Sequence, residues 1–180
     1  KFHIREYLNN QCHVVAILEP TLELAKIKQA LIKKEYGIFV NGYFDLNKLL
    51  LKEDLDAVSV CTPPNFHYNQ VKTCLKNNLN VLCEKPFILG KDNLKLAEEL
   101  IKISKKKNKI LSVNTQWPSV LREIKSFIGS KPINDFYFFM EQGLTGLGIL
   151  TEALPHVNSM LIKLLGEREI KNIKFIKKED

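Results

Sequence analysis

At 180 residues, 45% of them hydrophobic and 26% charged, the chain has an ordinary globular composition and enough length to bury a core. No apolar run approaches the ~18 residues of a membrane span, and no segment has the basic-then-apolar form of a signal peptide. The formal net charge of +7 raises nucleic-acid binding, but of 27 basic residues only Arg5, Arg122 and Arg168 are arginine, the type that base edges and phosphates favour, so no nucleic-acid partner is expected.

The chain opens in a helix already under way, with Phe2, Ile4, Arg5, Tyr7 and Leu8 at mixed helical spacing and Asn9-Asn10 as its end. Val14 to Leu18 predicts a strand ending at Glu19-Pro20. A helix follows, with apolar positions at Leu22, Leu24, Ala25, Ile27, Ala30 and Leu31. Tyr36 to Val40 reads as a short strand, and Asp45 to Leu51 as a short helix capped by Asp45. Asp56 to Cys61 is a β-branched apolar run, the pattern of a strand buried on both faces of a parallel sheet. Thr62-Pro63-Pro64 stops it. Asn65 is the expected cap of a helix through Tyr68, Val71, Cys74 and Leu75, which Asn77-Asn78 ends. Val81 to Cys83 is the next strand, closed by Glu84-Lys85-Pro86. Asp92 starts a long helix with the stripe Leu96, Ala97, Leu100, Ile101 and Ser104, and Ile110 to Asn114 is a further strand. Strands alternating with helices of this length predict an α/β fold, a Rossmann-like doubly wound parallel sheet.

The character changes after Asn114. Val120 to Ile128 reads as a helix, Phe136 to Met140 as an aromatic strand, Gly143 to Gly148 as a flexible turn, Leu150 to Leu165 as a helix stopped by Gly166, and Ile170 to Ile176 as a half-exposed strand. The expected division is residues 1–114 as one domain and 115–180 as the start of an α+β domain.

In open α/β sheets ligands sit outside the carboxyl ends of the strands, which gathers Thr62, Asn65, His67 and Lys85 around one crevice. There the Lys85 ammonium could steady a developing alkoxide. His67, in a first helical turn, could bond loop backbone or line the cleft, and the structural role is favoured. Glu152 precedes His156 by four residues, which puts both on one helix face. With Thr151 as N-cap, Pro155 would fall in the first turn, where its missing N–H costs nothing. His3 and His13 receive no role. Cys12, Cys61, Cys74 and Cys83 form no C-x-x-C pair, so a reduced, cytoplasmic protein without a metal site is expected. Gly143-Leu144-Thr145-Gly146-Leu147-Gly148 has the reverse of the phosphate-binding spacing and reads as a mobile loop.

C-T-P-P-N-F-H followed by a helix and then V-L-C-E-K-P resembles the Gfo/Idh/MocA family of nicotinamide-dependent oxidoreductases. The resemblance covers Val14 to Gly166 and is specific at Cys61 to His67, Glu84 to Pro86 and Glu152 to His156. It implies a Rossmann domain followed by an open-sheet α+β domain, a cis peptide before Pro86, and hydride transfer between NAD and a carbinol carbon of a sugar, cyclitol or related polyol. In T-E-A-L-P-H, similar to the family's D-x-x-x-H element, His156 would move the proton and Glu152 would support it, with glutamate standing where the family has aspartate.

Such a site needs G-x-G-x-x-G at the first strand–helix turn, yet no glycine precedes Gly37. That strand and loop are expected just upstream of Lys1, so the chain reads as incomplete at the front and also at the back. Glu19 then falls where a carboxylate would hold the adenosine ribose and favour NAD over NADP. The expected catalytic set is Lys85, His156 and Glu152. The expected cofactor set is Glu19, Cys61, Thr62, Pro63, Asn65, His67, Glu84, Lys85 and Gln116, the last where the family often has arginine. An open sheet would also pair copies of the chain into a homo-oligomer. The rival reading is a non-catalytic relative that lacks the cofactor loop.

Overall fold

The structure, a computed structural model, describes residues 2–115, 117–129, 135–138 and 147–166. The chain divides into two compact units, Lys1–Val113 and Asn114–Asp180.

In the first unit, α1 (Phe2–Asn9), β1 (Ala16–Leu18), α2 (Leu22–Tyr36), β2 (Asn41–Tyr43), α3 (Leu46–Lys52), β3 (Ala57–Val60), α4 (Pro64–Lys76), β4 (Asn80–Cys83), α5 (Asn93–Lys107) and β5 (Leu111–Val113) follow one another. Every strand pair is parallel: β1 with β2, and β3–β4–β5 in that order. The expected parallel α/β architecture is therefore present. Its core gathers Val60 of β3, Val71, Cys74 and Leu75 of α4, Val81 and Cys83 of β4 and Leu100 of α5, all buried.

Local chemistry sets the ends of these elements. Thr21 caps α2 through its side chain, which accepts from the Leu24 N–H, and Asp45 caps α3 by accepting from Asn47 and Lys48. The predicted strand at Tyr36 to Val40 is overturned. Helix α2 continues through Tyr36 and closes on Gly37 at φ 71°, a left-handed conformation that suits glycine, and the strand falls later, at Asn41–Tyr43. Gly42 lies so close to α2 that a β-carbon there would stand 2.7 Å from Gln29 Oε1, while Gln29 Nε2 donates to the Val40 carbonyl. Most of the expected apolar stripe of α2 does not reach the core: Ala25 and Ile32 are buried, whereas Leu22, Leu24, Ile27 and Leu31 are exposed.

The Asn65 cap is a second correction. Helix α4 starts two residues earlier, at Pro64, with Pro63 in the cap position and no side-chain cap bond, so Asn65 is an exposed helical residue. Proline at the first helical position has the right φ and lacks an N–H that would have had no partner there.

The second unit holds α6 (Trp117–Ile128) and α7 (Leu147–Leu165). Leu121 is its best-buried described side chain, and Trp117 meets Phe138 edge-on at 6.0 Å between ring centroids. Helix α7 begins at Leu147, so Gly148 is helical, Thr151 is no cap and Pro155 lies inside the helix. Thr151 instead donates its hydroxyl to the Gly148 carbonyl. Asp135–Phe138 form no strand, and the rest of that expected strand, Gly143, Gly146, Gln116 and Ile170 to Ile176 lie outside the described residues. Among the described residues no helix is long and apolar enough to cross a membrane.

Candidate functional site

The carboxyl ends of β3 and β4 point the same way because the strands run parallel in the register Ala57 to Asn80 through Val60 to Cys83. The chain that leaves β3, Cys61 to Pro63, therefore emerges beside the chain that leaves β4, Glu84 to Phe87. A single ring joins them. His67, fully buried on the first turn of α4, brings Nε2 to 2.7 Å from the Thr62 carbonyl and Nδ1 to 3.1 Å from the carbonyls of Pro86 and Phe87. Carbonyl oxygens only accept, so the ring N–H donates, and the shortest contact is to Thr62. Its observed role is the structural one, a brace between two strand-end loops.

Lys85 stands on this braced loop, half-buried, in a cis peptide with the buried Pro86. The Glu84 carboxylate lies beside it, and its Oε2 accepts from the Lys85 backbone N–H at 3.3 Å. On the facing loop the Thr62 hydroxyl donates to Gln70 Oε1 at 2.6 Å. Pro63 and Asn65 are exposed at the same strand end. Cys61 is exposed as a residue, yet partial desolvation of its thiol, with the nearby Glu84 charge, raises its pKa. The strand-end geometry thus brings Cys61, Thr62, Pro63, Asn65, His67, Glu84 and Lys85 together.

Glu19 is placed apart from them, directly after β1, with its backbone N–H donating to the Tyr43 carbonyl at the end of β2. It lines a small cavity of about 140 Å³ between α1, β1 and α2, together with Ile4, Ile17, Leu31 and Tyr36. Its half-buried carboxylate at a strand carboxyl end suits a pair of ribose hydroxyls. Of the groups a dinucleotide needs, the residues here include this one carboxylate, which fits a ribose. With no glycine before Gly37, they do not include a backbone cradle for its pyrophosphate.

In the second unit, Glu152 and His156 share one face of α7, one turn apart. His156 is buried and packs edge-on against Trp117, at 6.1 Å between ring centroids. Among the described residues no group of three or more His, Cys, Asp or Glu side chains is arranged to hold a metal ion.

One residue given no role belongs to the first site. His3 of α1 places Nε2 2.7 Å from Glu84 Oε1 and Nδ1 2.8 Å from Ser59 Oγ. The available signal was Ser59 itself, a lone hydroxyl in the apolar strand A-V-S-V, which needs a partner once covered.

Residues 1–115 match the Gfo/Idh/MocA oxidoreductase family, with its NAD-binding Rossmann fold, and the chain belongs to that family. It is 34% identical over 130 residues to a trans-1,2-dihydrobenzene-1,2-diol dehydrogenase of Xenopus tropicalis, covering 69% of this chain and 36% of the relative. It is 27% identical over 152 residues to the D-glucoside 3-dehydrogenase of Escherichia coli K12, covering 83% and 41%. Among solved structures, the UDP-N-acetylglucosamine 3-dehydrogenase of Acidithiobacillus ferrooxidans superposes with a TM-score of 0.56 at 21% identity, covering 71% of this chain and 40% of that one, a likeness of fold. The chain spans less than half the length of these curated relatives.

Proposed function

We propose that this chain forms part of an NAD-dependent oxidoreductase that transfers hydride between nicotinamide and a carbinol carbon of a sugar, cyclitol or related polyol. The observation that carries the reading is the brace: buried His67 bonds the Thr62 carbonyl and packs its other nitrogen against the Pro86 carbonyl, which seats the loop that bears Lys85 at one strand end. The family and the relatives named for diol and glucoside dehydrogenases support the same class.

Nicotinamide, when bound, gives or takes the hydride. The protein does the rest. Lys85 donates to the substrate oxygen, steadies it as alkoxide character develops and orients the carbinol carbon. His156 takes the hydroxyl proton on oxidation and returns it on reduction, with Glu152 supporting it from the same helix face. Glu19 accepts from the adenosine ribose hydroxyls. Its charge repels a 2′-phosphate, which favours NAD over NADP.

The test is the natural protein carrying Lys85→Ala, assayed by reduced-nicotinamide absorbance against a panel of sugars, cyclitols and diols. Loss of one donor to a developing oxyanion is expected to lower kcat by about 10²–10³-fold. Full kcat in that variant, or a wild-type protein that binds the dinucleotide and turns over nothing, would overturn the reading.

A further inference from the structure

A second chain of polar contacts runs beneath the same loop. Glu84 Oε1 is 2.7 Å from His3 Nε2, His3 Nδ1 is 2.8 Å from Ser59 Oγ, and Ser59 Oγ is 3.6 Å from Cys61 Sγ. The directions of these bonds follow from donor chemistry. A carboxylate only accepts, so His3 donates from Nε2, and Nδ1 of the neutral ring then accepts the Ser59 hydroxyl proton. The Ser59 oxygen is left to accept from the Cys61 thiol. Every group in the sequence Cys61, Ser59, His3, Glu84 thus has a role compatible with its neighbour.

Both members of the His3–Glu84 pair are three-quarters shielded, with side-chain exposures of 24% for His3 and 25% for Glu84. A bond to a charged group with that shielding is stronger than a neutral surface contact. It also holds the Glu84 carboxylate from both sides: Oε1 meets His3, and Oε2 meets the backbone N–H of Lys85. Glu84 thereby links the opening helix to the peptide that presents Lys85.

We propose that His3 is a positioning residue which acts through Glu84 to fix the Lys85 loop, so that α1 and the strand-end lysine move as one body. The role in turnover rests on the reading of Lys85 given above. The mechanical link does not.

The experiment uses the natural protein with His3→Ala, His3→Gln and Glu84→Gln, followed by amide hydrogen exchange and by steady-state kinetics. In His3→Ala the Lys85 amide is expected to exchange about tenfold faster, the scale of one lost bond to a charged group, while Val81 to Cys83 keep their protection. His3→Gln, whose amide can still donate to Glu84, restores most of that protection. In turnover, His3→Ala lowers kcat by about tenfold with the KM for dinucleotide little changed, and adding Glu84→Gln costs little more because both act through one contact. Unchanged exchange at Lys85 would overturn the proposal, as would a rise shared equally by Val81 to Cys83. A wild-type protein without polyol turnover would remove the functional reading alone, and the exchange result would still decide the link.

Discussion

His67 Nε2 lies 2.7 Å from the carbonyl oxygen of Thr62, so one buried ring closes the turn between β3 and α4. The other nitrogen of that ring, Nδ1, meets the carbonyls that follow β4, about twenty residues further along the chain. Removing it leaves a cavity and orphans the Thr62 carbonyl.

We therefore expect His67→Ala to destabilise the protein by about 2–4 kcal/mol, measured as a lower denaturant midpoint with an unchanged slope. The loss should exceed that of Asn65→Ala, because Asn65 is exposed and caps nothing. Equal effects would remove the brace from the account.

Cofactor choice gives a second expectation. Glu19→Ser should raise kcat/KM with NADP relative to NAD by about tenfold, the equivalent of ~1.4 kcal/mol of relieved repulsion. Competition between the two dinucleotides measures it directly. An unchanged ratio would place the 2′-hydroxyl elsewhere.

The pH dependence of stability follows from the tie between α4 and α5. Lys72 Nζ donates to Glu99 Oε1 at 2.6 Å and the Tyr68 hydroxyl donates to Oε2 at 2.7 Å, and these bonds hold the Glu99 carboxyl below its ordinary value of 4.5. A lowered carboxyl stabilises the fold above its unfolded pKa and loses that contribution as pH falls through the folded one. Glu99→Gln should thus be less stable than wild type at neutral pH, with the gap closing as the medium is acidified below 4.5. A gap constant with pH would show that the charge is not involved.

Thiol chemistry should sort the four cysteines. Burial pushes Cys74 up to about 11, and burial with help from Cys61 and Glu84 pushes Cys83 up to about 12. Near neutral pH both stay protonated and inert, whereas exposed Cys12 should be alkylated first and Cys61 more slowly. Peptide mapping after timed alkylation would order them. Early labelling of Cys83 would contradict the core as described.

The parallel fold was readable because its strands announce themselves chemically. A-V-S-V and N-V-L-C are apolar runs bounded by proline or asparagine turns, and Asp45 capped its helix as its side chain allows. The strand at Asn41–Tyr43 was not readable, since N-G-Y carries no apolar alternation and owes its place to the close approach of α2 at Gly42. His3 was missed for another reason. Its partners lie 56 and 81 residues away, and no local pattern encodes a contact at that separation. The start of α7 was misplaced because Pro155 argues for a first turn, yet the helix already runs from Leu147 and carries the proline within it.

That proline has a mechanical consequence. Lacking an N–H, Pro155 cannot complete the backbone bond to the Thr151 carbonyl, so α7 misses a rung immediately before His156. Helices yield at such places. The turns beyond it are anchored by Met160, which is buried. The missing rung therefore leaves α7 one backbone bond short at the turn that carries His156, so the imidazole is held there by its burial and its edge-on packing against Trp117.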